Sequence, residues 1–142
     1  MKILQIIGGK KSGKTTTMVD FITEASRLGY KVTALKRAHE ATFDSPNTDS
    51  YRFSNAGAAQ VGLSTPAEFL WHEKGEISLA DLLKRAAGAD VVFIEGFRVE
   101  TGFPRLTMDL DATIFPEKLT TDILDFTDSE KRKAWLRQWL MN

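Results

Sequence analysis

The stretch GGKKSGKT near the start of the chain has the residue types and the spacing of a phosphate-binding loop. Glycines let successive backbone N–H groups face one anion, a lysine brings positive charge to the β- and γ-phosphates, and a threonine hydroxyl is a ligand for Mg²⁺. The pattern predicts a nucleotide site made of Gly8, Gly9, Lys10, Lys11, Ser12, Gly13, Lys14, Thr15 and Thr16. The alternative is a glycine-rich turn before a capped helix, without a ligand.

A carboxylate at the end of a buried strand is the second requirement of a Mg²⁺-nucleotide site, and the run VVFIEG supplies Glu95. Many proteins of this type have Asp at this position. Because Glu is one methylene longer, it could act through a metal-bound water or orient the attacking water instead. We predict Glu95 and Thr15 as metal ligands and Glu95 as a catalytic residue. A charged residue at an exposed strand end is the alternative.

The elements that must position these residues follow from the hydrophobic pattern. The run ILQII predicts a strand directly before the loop, because short and nearly continuous apolar runs are typical of parallel strands. Apolar residues at intervals of three and four over residues 18–28 predict a helix that Gly29 ends, and YKVTALK predicts the next strand. This order predicts an α/β fold of the P-loop NTPase type, with a mainly parallel sheet, in one three-layer domain over residues 1–142.

The rest of the chain continues to alternate between strands and helices. We predict a short helix over residues 51–56 capped by Asp49 or Ser50, and a strand over residues 68–71. A helix from about residue 78 to residue 88, strands over 91–94 and near 106–110 and 123–126, and a helix from about residue 128 follow. The last helix has one apolar face, made of Trp135, Leu136, Trp139 and Leu140. This face predicts packing on the protein's own core, and a surface for a partner is the alternative.

The composition limits the classes of protein to which the chain can belong. Its 142 residues suffice for one domain with its own core. The 19 Lys and Arg residues balance the 19 Asp and Glu residues, so no net positive charge favours nucleic acid or an anionic membrane. The absence of cysteine excludes disulfides and thiolate metal sites, and no apolar run is long enough for a signal peptide or a membrane span. We expect a soluble cytoplasmic protein without a nucleic-acid or membrane partner.

Three segments carry a resemblance to one family: GGKKSGKTT, LKRAHEATFDSPNTDSYRFSNAGA and VVFIEGF, within roughly residues 1–105. Together they resemble the MobB family, the GTP-binding proteins of molybdopterin guanine dinucleotide biosynthesis. The resemblance implies a homodimeric accessory protein that binds GTP with Mg²⁺, hydrolyses it weakly if at all, and assists a guanylyltransferase or a molybdenum-cofactor carrier. Because the chain has no N-K-x-D motif for reading the base, the preference for guanine is implied by the resemblance alone.

The resemblance also implies roles for single residues. It implies that four residues contact a substrate or partner, namely Lys36, His39, Arg98 and Arg105. Asp49 falls on a family aspartate, in a segment that contacts Mg²⁺ and the γ-phosphate in phosphate-loop proteins, so we predict a metal and catalytic residue, with helix capping as the alternative. For His39 the alternative is an exposed loop residue without a function. Arg98 replaces a lysine common in the family, and Arg37 stands where the family usually has a histidine.

Two other functions remain open on the sequence. A small-molecule kinase would use the same cradle, but it normally needs a lid that presents arginines to the transferred phosphoryl group. The segment FRVETGFPR offers only Arg98 and Arg105 for such a lid. The other alternative is a nucleotide-gated adaptor for a different metallocofactor pathway. The chain is therefore expected to be at most a weak GTPase.

Overall fold

The computed structural model describes residues 1–40, 42–100, 102–108, 113–117 and 124–142. Its elements are, in chain order, β1 Lys2–Gly8, α1 Lys14–Arg27, β2 Val32–Lys36, α2 Asp49–Asn55, β3 Gln60–Ser64, β4 Phe69–Glu73, α3 Leu79–Arg85, β5 Val91–Glu95, β6 Arg105–Met108, β7 Thr113–Glu117, β8 Leu124–Asp125 and α4 Ser129–Met141. They form two compact units, Met1–Ala38 with Leu79–Asn142, and His39–Ser78. A single domain over residues 1–142 stays a prediction.

The first unit is built on a sheet with the strand order β2-β5-β1-β6-β7-β8. The strands β2, β5, β1 and β6 pair in parallel, whereas β7 and β8 pair antiparallel. The sequence of β5 begins with the apolar run VVFI, which is fully buried, as expected of a central parallel strand covered on both faces. The predicted α/β class with a mainly parallel sheet is confirmed.

Helices cover both faces of this sheet. Because successive residues of a strand point to opposite faces, neighbouring residues of β5 enter two separate cores. Phe93 packs in the core that contains Phe21 of α1 and Leu136 of α4, while Ile94 packs in the core that contains Leu79 of α3. The unit therefore has the three layers that the sequence predicts.

The strand before the phosphate loop and the helix after it form as predicted. The centre of β1 is buried over Leu4, Gln5 and Ile6. The helix α1 runs over Lys14–Arg27, and Gly29 follows it in the left-handed conformation with φ 87°. A loop five residues long, 9–13, thus separates the end of the central strand from the first turn of the helix.

The last helix packs on the first core, as the sequence predicts. Asp128 caps α4 by accepting a hydrogen bond from an N–H of the first turn. Leu136 and Leu140 are buried, and the ring of Trp135 stacks on Phe21 with 5.6 Å between the centroids. The apolar face of this helix is therefore used inside the first unit.

Ion pairs join α4 to α1 beside this apolar contact. Glu24 of α1 is nearly buried and accepts hydrogen bonds from Arg27 and Arg137, each at 2.7 Å from Oε1. These bonds, the one from Arg27 first, lower the pKa of Glu24 to about 2. Arg132 pairs with Asp20 at 2.6 Å, so the two helices are held by charge as well as by packing.

The second unit contains α2 and the hairpin of β3 and β4. Thr48 is the cap of α2, because its hydroxyl accepts a hydrogen bond from the Tyr51 N–H at 3.2 Å. The prediction of Asp49 or Ser50 as the cap is wrong. The helix begins two residues earlier than predicted, which places both residues in its first turn, and the Ser50 hydroxyl donates to Asp44 Oδ1 at 3.3 Å.

The hairpin of the second unit was only half predicted. The strand expected over residues 68–71 forms as β4, and β3 was not predicted. Gly62 of β3 lies opposite Trp71 of β4, whose ring takes the space of a side chain, since a Cβ at Gly62 would lie 2.9 Å from it. Large apolar side chains of this unit are exposed, namely Phe43, Phe53, Leu63, Phe69, Leu70 and Trp71.

The remaining strands agree in part with the sequence. The strands expected near residues 106–110 and 123–126 form as β6 and β8, and β7 was not predicted. Leu110 and Ile123, which those expectations included, lie outside the described residues. None of the helices in the described part of the chain has both the length and the apolar content to cross a membrane.

Candidate functional site

The predicted phosphate loop connects the central strand β1 to the N-terminus of α1. Gly13 is the N-cap of α1, with φ 86°, and it has no side chain that could accept from the first helical N–H groups. Those N–H groups and the positive end of the helix dipole therefore face the loop. This is the arrangement that favours an anion at a helix N-terminus.

Gly8, the last residue of β1 and the first residue of the phosphate-loop pattern, is a position at which only glycine fits. It pairs with Met108 of the neighbouring strand β6. A Cβ at Gly8 would lie against the Met108 carbonyl oxygen, far inside van der Waals contact, and 2.8 Å from Ser12 Oγ. Any larger residue would push the loop away from the sheet, so the close turn that forms the cradle depends on this glycine.

Side chains of the loop and of its surroundings hold the loop carbonyl groups. The buried Ser12 donates its hydroxyl to the Gly9 carbonyl at 2.9 Å, and Lys14 Nζ donates to the same carbonyl. The Arg98 guanidinium donates to the Gly8 carbonyl. The other predicted loop side chains are exposed, namely Lys10, Lys11, Thr15 and Thr16. Two cationic groups, Lys14 and Arg98, thus meet at the start of the cradle.

Glu95 ends β5, the strand next to β1, and its carboxylate lies at the same edge of the sheet as the phosphate loop. The parallel register aligns Glu95 with Ile6 of β1, two residues before Gly8, and with Lys36 at the end of β2. The Glu95 side chain is 12% exposed, and Lys36 Nζ lies 3.9 Å from its Oε1. The structure therefore brings together the loop, Glu95 and Lys36, because carboxyl ends of parallel strands meet at one edge.

A tight turn follows Glu95 and carries Arg98 towards the loop. Gly96 has φ 88° and Phe97 has φ 54°, so two successive residues take left-handed conformations. The Gly96 N–H donates to the Ile6 carbonyl at 3.0 Å, which ties the turn to β1. Arg37, which stands where the resembled family usually has histidine, places its guanidinium 5.8 Å from the centre of the Phe97 ring.

A buried polar network that was not predicted from the sequence supports this turn from inside the sheet. Gln5 is fully buried in β1, and its amide nitrogen donates to the carbonyls of Gly96 and Phe97, each at 2.8 Å. Arg105 donates from Nε to Gln5 Oε1 at 3.1 Å and from Nη2 to the Glu100 carbonyl. The available signal was a single glutamine inside the apolar run ILQII. The contact of Arg105 with substrate stays a prediction.

The other predicted site residues belong to the second unit. Asp49 is exposed in the first turn of α2, with Arg52 Nη1 3.9 Å from its Oδ1. His39 is exposed at the start of the unit. Inside this unit, Asp44 Oδ2 lies 3.7 Å from His72 Nδ1. The metal and catalytic role of Asp49 and the partner role of His39 stay predictions.

The described residues contain no group of three or more His, Asp or Glu side chains that could hold a metal ion by themselves. A phosphate-loop site does not need one, because Mg²⁺ on a nucleotide is held by one or two protein groups together with phosphate oxygens and water. The hydroxyl of Thr15 and the carboxylate of Glu95 are such hard oxygen donors. The donor set therefore suits Mg²⁺ bound with a nucleotide.

Comparison with known proteins gives one consistent family. The family profile of Molybdopterin guanine dinucleotide synthesis protein B, MobB, matches residues 3–116. A Methanocaldococcus jannaschii protein, provisionally named a molybdopterin-guanine dinucleotide biosynthesis adapter protein, is 32% identical over 101 residues, which are 69% of this chain and 42% of that protein. The chain thus spans less than half of that relative. The adapter protein of the same name from Haemophilus influenzae is 25% identical, over 97% of this chain and 89% of that protein.

Solved structures show the same fold. A MobB protein homolog from Bacillus stearothermophilus has a TM-score of 0.72 and 21% identity, over 99% of both chains. MobB from Bacillus subtilis has a TM-score of 0.63 and 23% identity, over 76% of this chain and 68% of that one. The predicted P-loop NTPase fold is confirmed.

Proposed function

We propose, from the premise that this chain belongs to the MobB family of molybdopterin guanine dinucleotide synthesis proteins, that it binds GTP with Mg²⁺ and assists the biosynthesis of that dinucleotide. Its partner would be a guanylyltransferase or a molybdenum-cofactor carrier. One observation carries the proposal: a glycine loop of the phosphate-binding pattern joins the central parallel strand to a helix N-terminus, with Glu95 at the end of the adjacent strand. That placement is the usual one for nucleotides in open α/β sheets.

The phosphates are bound by groups of different kinds. Backbone N–H groups of the loop and of the first turn of α1 supply fixed dipoles, and Lys14 supplies a mobile positive charge. Lys14 donates to the Gly9 carbonyl, so its ammonium group lies within the loop itself. When Lys14 donates to a phosphate oxygen in place of the neutral Gly9 carbonyl, the hydrogen bond becomes stronger because both groups are charged.

The Mg²⁺ ion would be held by the Thr15 hydroxyl and by the Glu95 carboxylate, directly or through water. When bound, the ion neutralises charge on the β- and γ-phosphate oxygens. The Glu95 side chain is mostly buried, and Lys36 Nζ lies 3.9 Å from its Oε1, so the Lys36 ammonium group stands beside the proposed metal ligand. Lys36 thereby has a role beside the metal site in addition to its predicted contact with a partner.

Hydrolysis by this chain is expected to be slow. Fast phosphoryl transfer requires preorganised positive charge around the γ-phosphate, commonly from arginines. Arg105 is only 8% exposed and donates to Gln5 and to a backbone carbonyl, which leaves Arg98 as the exposed arginine of FRVETGFPR. This also weakens the kinase alternative, because a kinase lid needs several such groups. The bound nucleotide therefore serves mainly to set a conformation that the partner recognises.

We also propose that the protein is a homodimer and that it is located in the cytoplasm. The second unit exposes several large apolar side chains, with Phe69 at 80% exposure, and association between chains commonly covers side chains of this kind. Light scattering measures the mass directly. A dimer that Phe69→Ser with Trp71→Ser converts to a folded monomer supports this proposal, and a monomeric wild-type protein contradicts it.

Calorimetric titration with GTP, ATP and GDP, each with and without Mg²⁺, tests the nucleotide part. We expect GTP to bind more tightly than ATP, and Mg²⁺ to strengthen GTP binding. Lys14→Ala is the matched variant that removes the phosphate contact and leaves the fold intact. Equal binding of GTP by wild type and Lys14→Ala would place the nucleotide elsewhere, and preference for ATP would overturn the guanine assignment.

A further inference from the structure

The turn after β5 returns to the first residue of the phosphate loop. The Arg98 guanidinium donates to the carbonyl of Gly8, while Lys14 donates to the carbonyl of Gly9. Two cations from distant parts of the sequence therefore bind adjacent carbonyls of the same cradle. Arg98 is exposed, so its side chain can exchange one acceptor for another without disturbing a packed core.

Buried groups fix the position from which Arg98 reaches the loop. The carbonyls of Gly96 and Phe97 each accept a hydrogen bond from Gln5 at 2.8 Å, and Arg105 holds Gln5 in turn at 3.1 Å. Gly96 and Phe97 both have left-handed backbone conformations, which define the geometry of this turn. Hydrogen bonds thus tie the backbone of this turn to β1, while the Arg98 side chain is exposed.

We infer that Arg98 binds the γ-phosphate of the nucleotide, and that Gln5 and Arg105 are the positioning residues that aim it. The inference rests on the proposed function and names a group that distinguishes triphosphate from diphosphate. A guanidinium binds a phosphate more strongly than a neutral carbonyl, since the charges attract and two N–H groups can donate together. Arg98 follows Glu95, the predicted metal residue, by three residues, and the turn between them brings its guanidinium to the Gly8 carbonyl at the start of the cradle.

The test compares affinities for GDP and for a GTP analogue with a non-hydrolysable β-γ bridge, both with Mg²⁺. Arg98→Ala is expected to weaken binding of the analogue about 10-fold, and binding of GDP less than about 3-fold. Arg98→Lys keeps the charge and should restore most of the affinity for the analogue. Arg85→Ala is the control, because Arg85 is exposed at the end of α3, which leads to the opposite edge of the sheet, and should leave both affinities unchanged.

Double variants test the positioning residues. Because Gln5 acts through Arg98, Gln5→Leu should lower the analogue-to-GDP affinity ratio in wild type and leave it unchanged in the Arg98→Ala background. Arg105→Lys replaces Gln5→Leu in the cycle if the latter does not fold. Additive losses would overturn the positioning role.

The same titrations separate this inference from the proposed function. If wild type binds the analogue, Lys14→Ala does not, and Arg98→Ala behaves like wild type, the γ-phosphate role of Arg98 is wrong while the GTP site stands. Equal losses of analogue and GDP in Arg98→Ala would also overturn it. If wild type binds neither nucleotide, both the inference and the proposed function fail.

Discussion

Replacement of Gln5 by leucine should destabilise the fold more than any surface substitution of the same type. Gln5 is fully buried in the central strand and makes three hydrogen bonds, to the carbonyls of Gly96 and Phe97 and from Arg105. Each buried polar group left without a partner costs about 1–3 kcal/mol, and the larger apolar surface of leucine offsets part of this cost. We expect a net loss of about 2–4 kcal/mol in the free energy of unfolding.

Urea unfolding followed by tryptophan fluorescence measures this loss, with an unchanged m-value as the condition for a valid comparison. Gln60→Leu is the matched control, because Gln60 is exposed. Among the contacts of the described residues, its side chain makes one hydrogen bond, to Glu73 across the hairpin at 2.8 Å. The control should change stability by less than about 0.5 kcal/mol. If Gln5→Leu costs no more than the control, the buried network does not hold the turn that carries Arg98.

Three further results are expected. Lys14→Ala should weaken GTP binding about 10- to 150-fold, because a charge-assisted phosphate contact is lost, and an unchanged affinity in calorimetry would contradict the site. Glu95→Gln should reduce the Mg²⁺ dependence of GTP binding more than the affinity without metal; equal losses in both titrations would leave Glu95 a supporting role only. The pKa of Glu24 is lowered from 4.5 to about 2, chiefly by the hydrogen bond from Arg27 and then by that from Arg137. Its stabilising contribution is therefore complete above about pH 4.5 and is lost as the pH falls towards 2, so the stability difference between wild type and Glu24→Gln should shrink over that range. A difference that stays constant in acid denaturation would contradict this.

Features that depend on local sequence were predictable. The run ILQII, the glycine loop and the helical stripe after it are consecutive, so one stretch of sequence specifies β1, the cradle and α1. The apolar run of β5 identified both a central strand and Glu95 at its end. These predictions succeed because hydrophobic period and turn residues act between near neighbours.

Features that depend on distant residues were not predictable in the same way. The bonds of Gln5 join residues 91 to 100 positions apart, so the glutamine is only an interruption of an apolar run until the sheet is assembled. In β3, Gly62 lowers strand propensity, and the ring of Trp71 that compensates for it comes from the partner strand. Thr48 was overlooked as the cap because Asp49 and Ser50, next to it, are equally common caps.

The burial of Arg105 was likewise not predictable from the sequence. The resemblance implied a contact of Arg105 with a substrate or partner, which stays a prediction, and the structure adds that Arg105 is buried beside Gln5. An arginine is read from sequence as an exposed charge because most arginines are exposed. Its contacts with Gln5 and with the Glu100 carbonyl explain how such a group can be accommodated inside the first unit.

A molybdopterin guanylyltransferase assay tests the central claim most directly. The enzyme is assayed with GTP alone, with wild-type protein added, and with Lys14→Ala added, and phosphate release by the protein alone is recorded in parallel. We predict that wild type accelerates the formation of the dinucleotide, that Lys14→Ala does not, and that the protein alone releases little phosphate. Equal rates with and without the protein, or rapid phosphoryl transfer by the protein alone, would contradict a role in which bound GTP sets the conformation that a partner enzyme recognises.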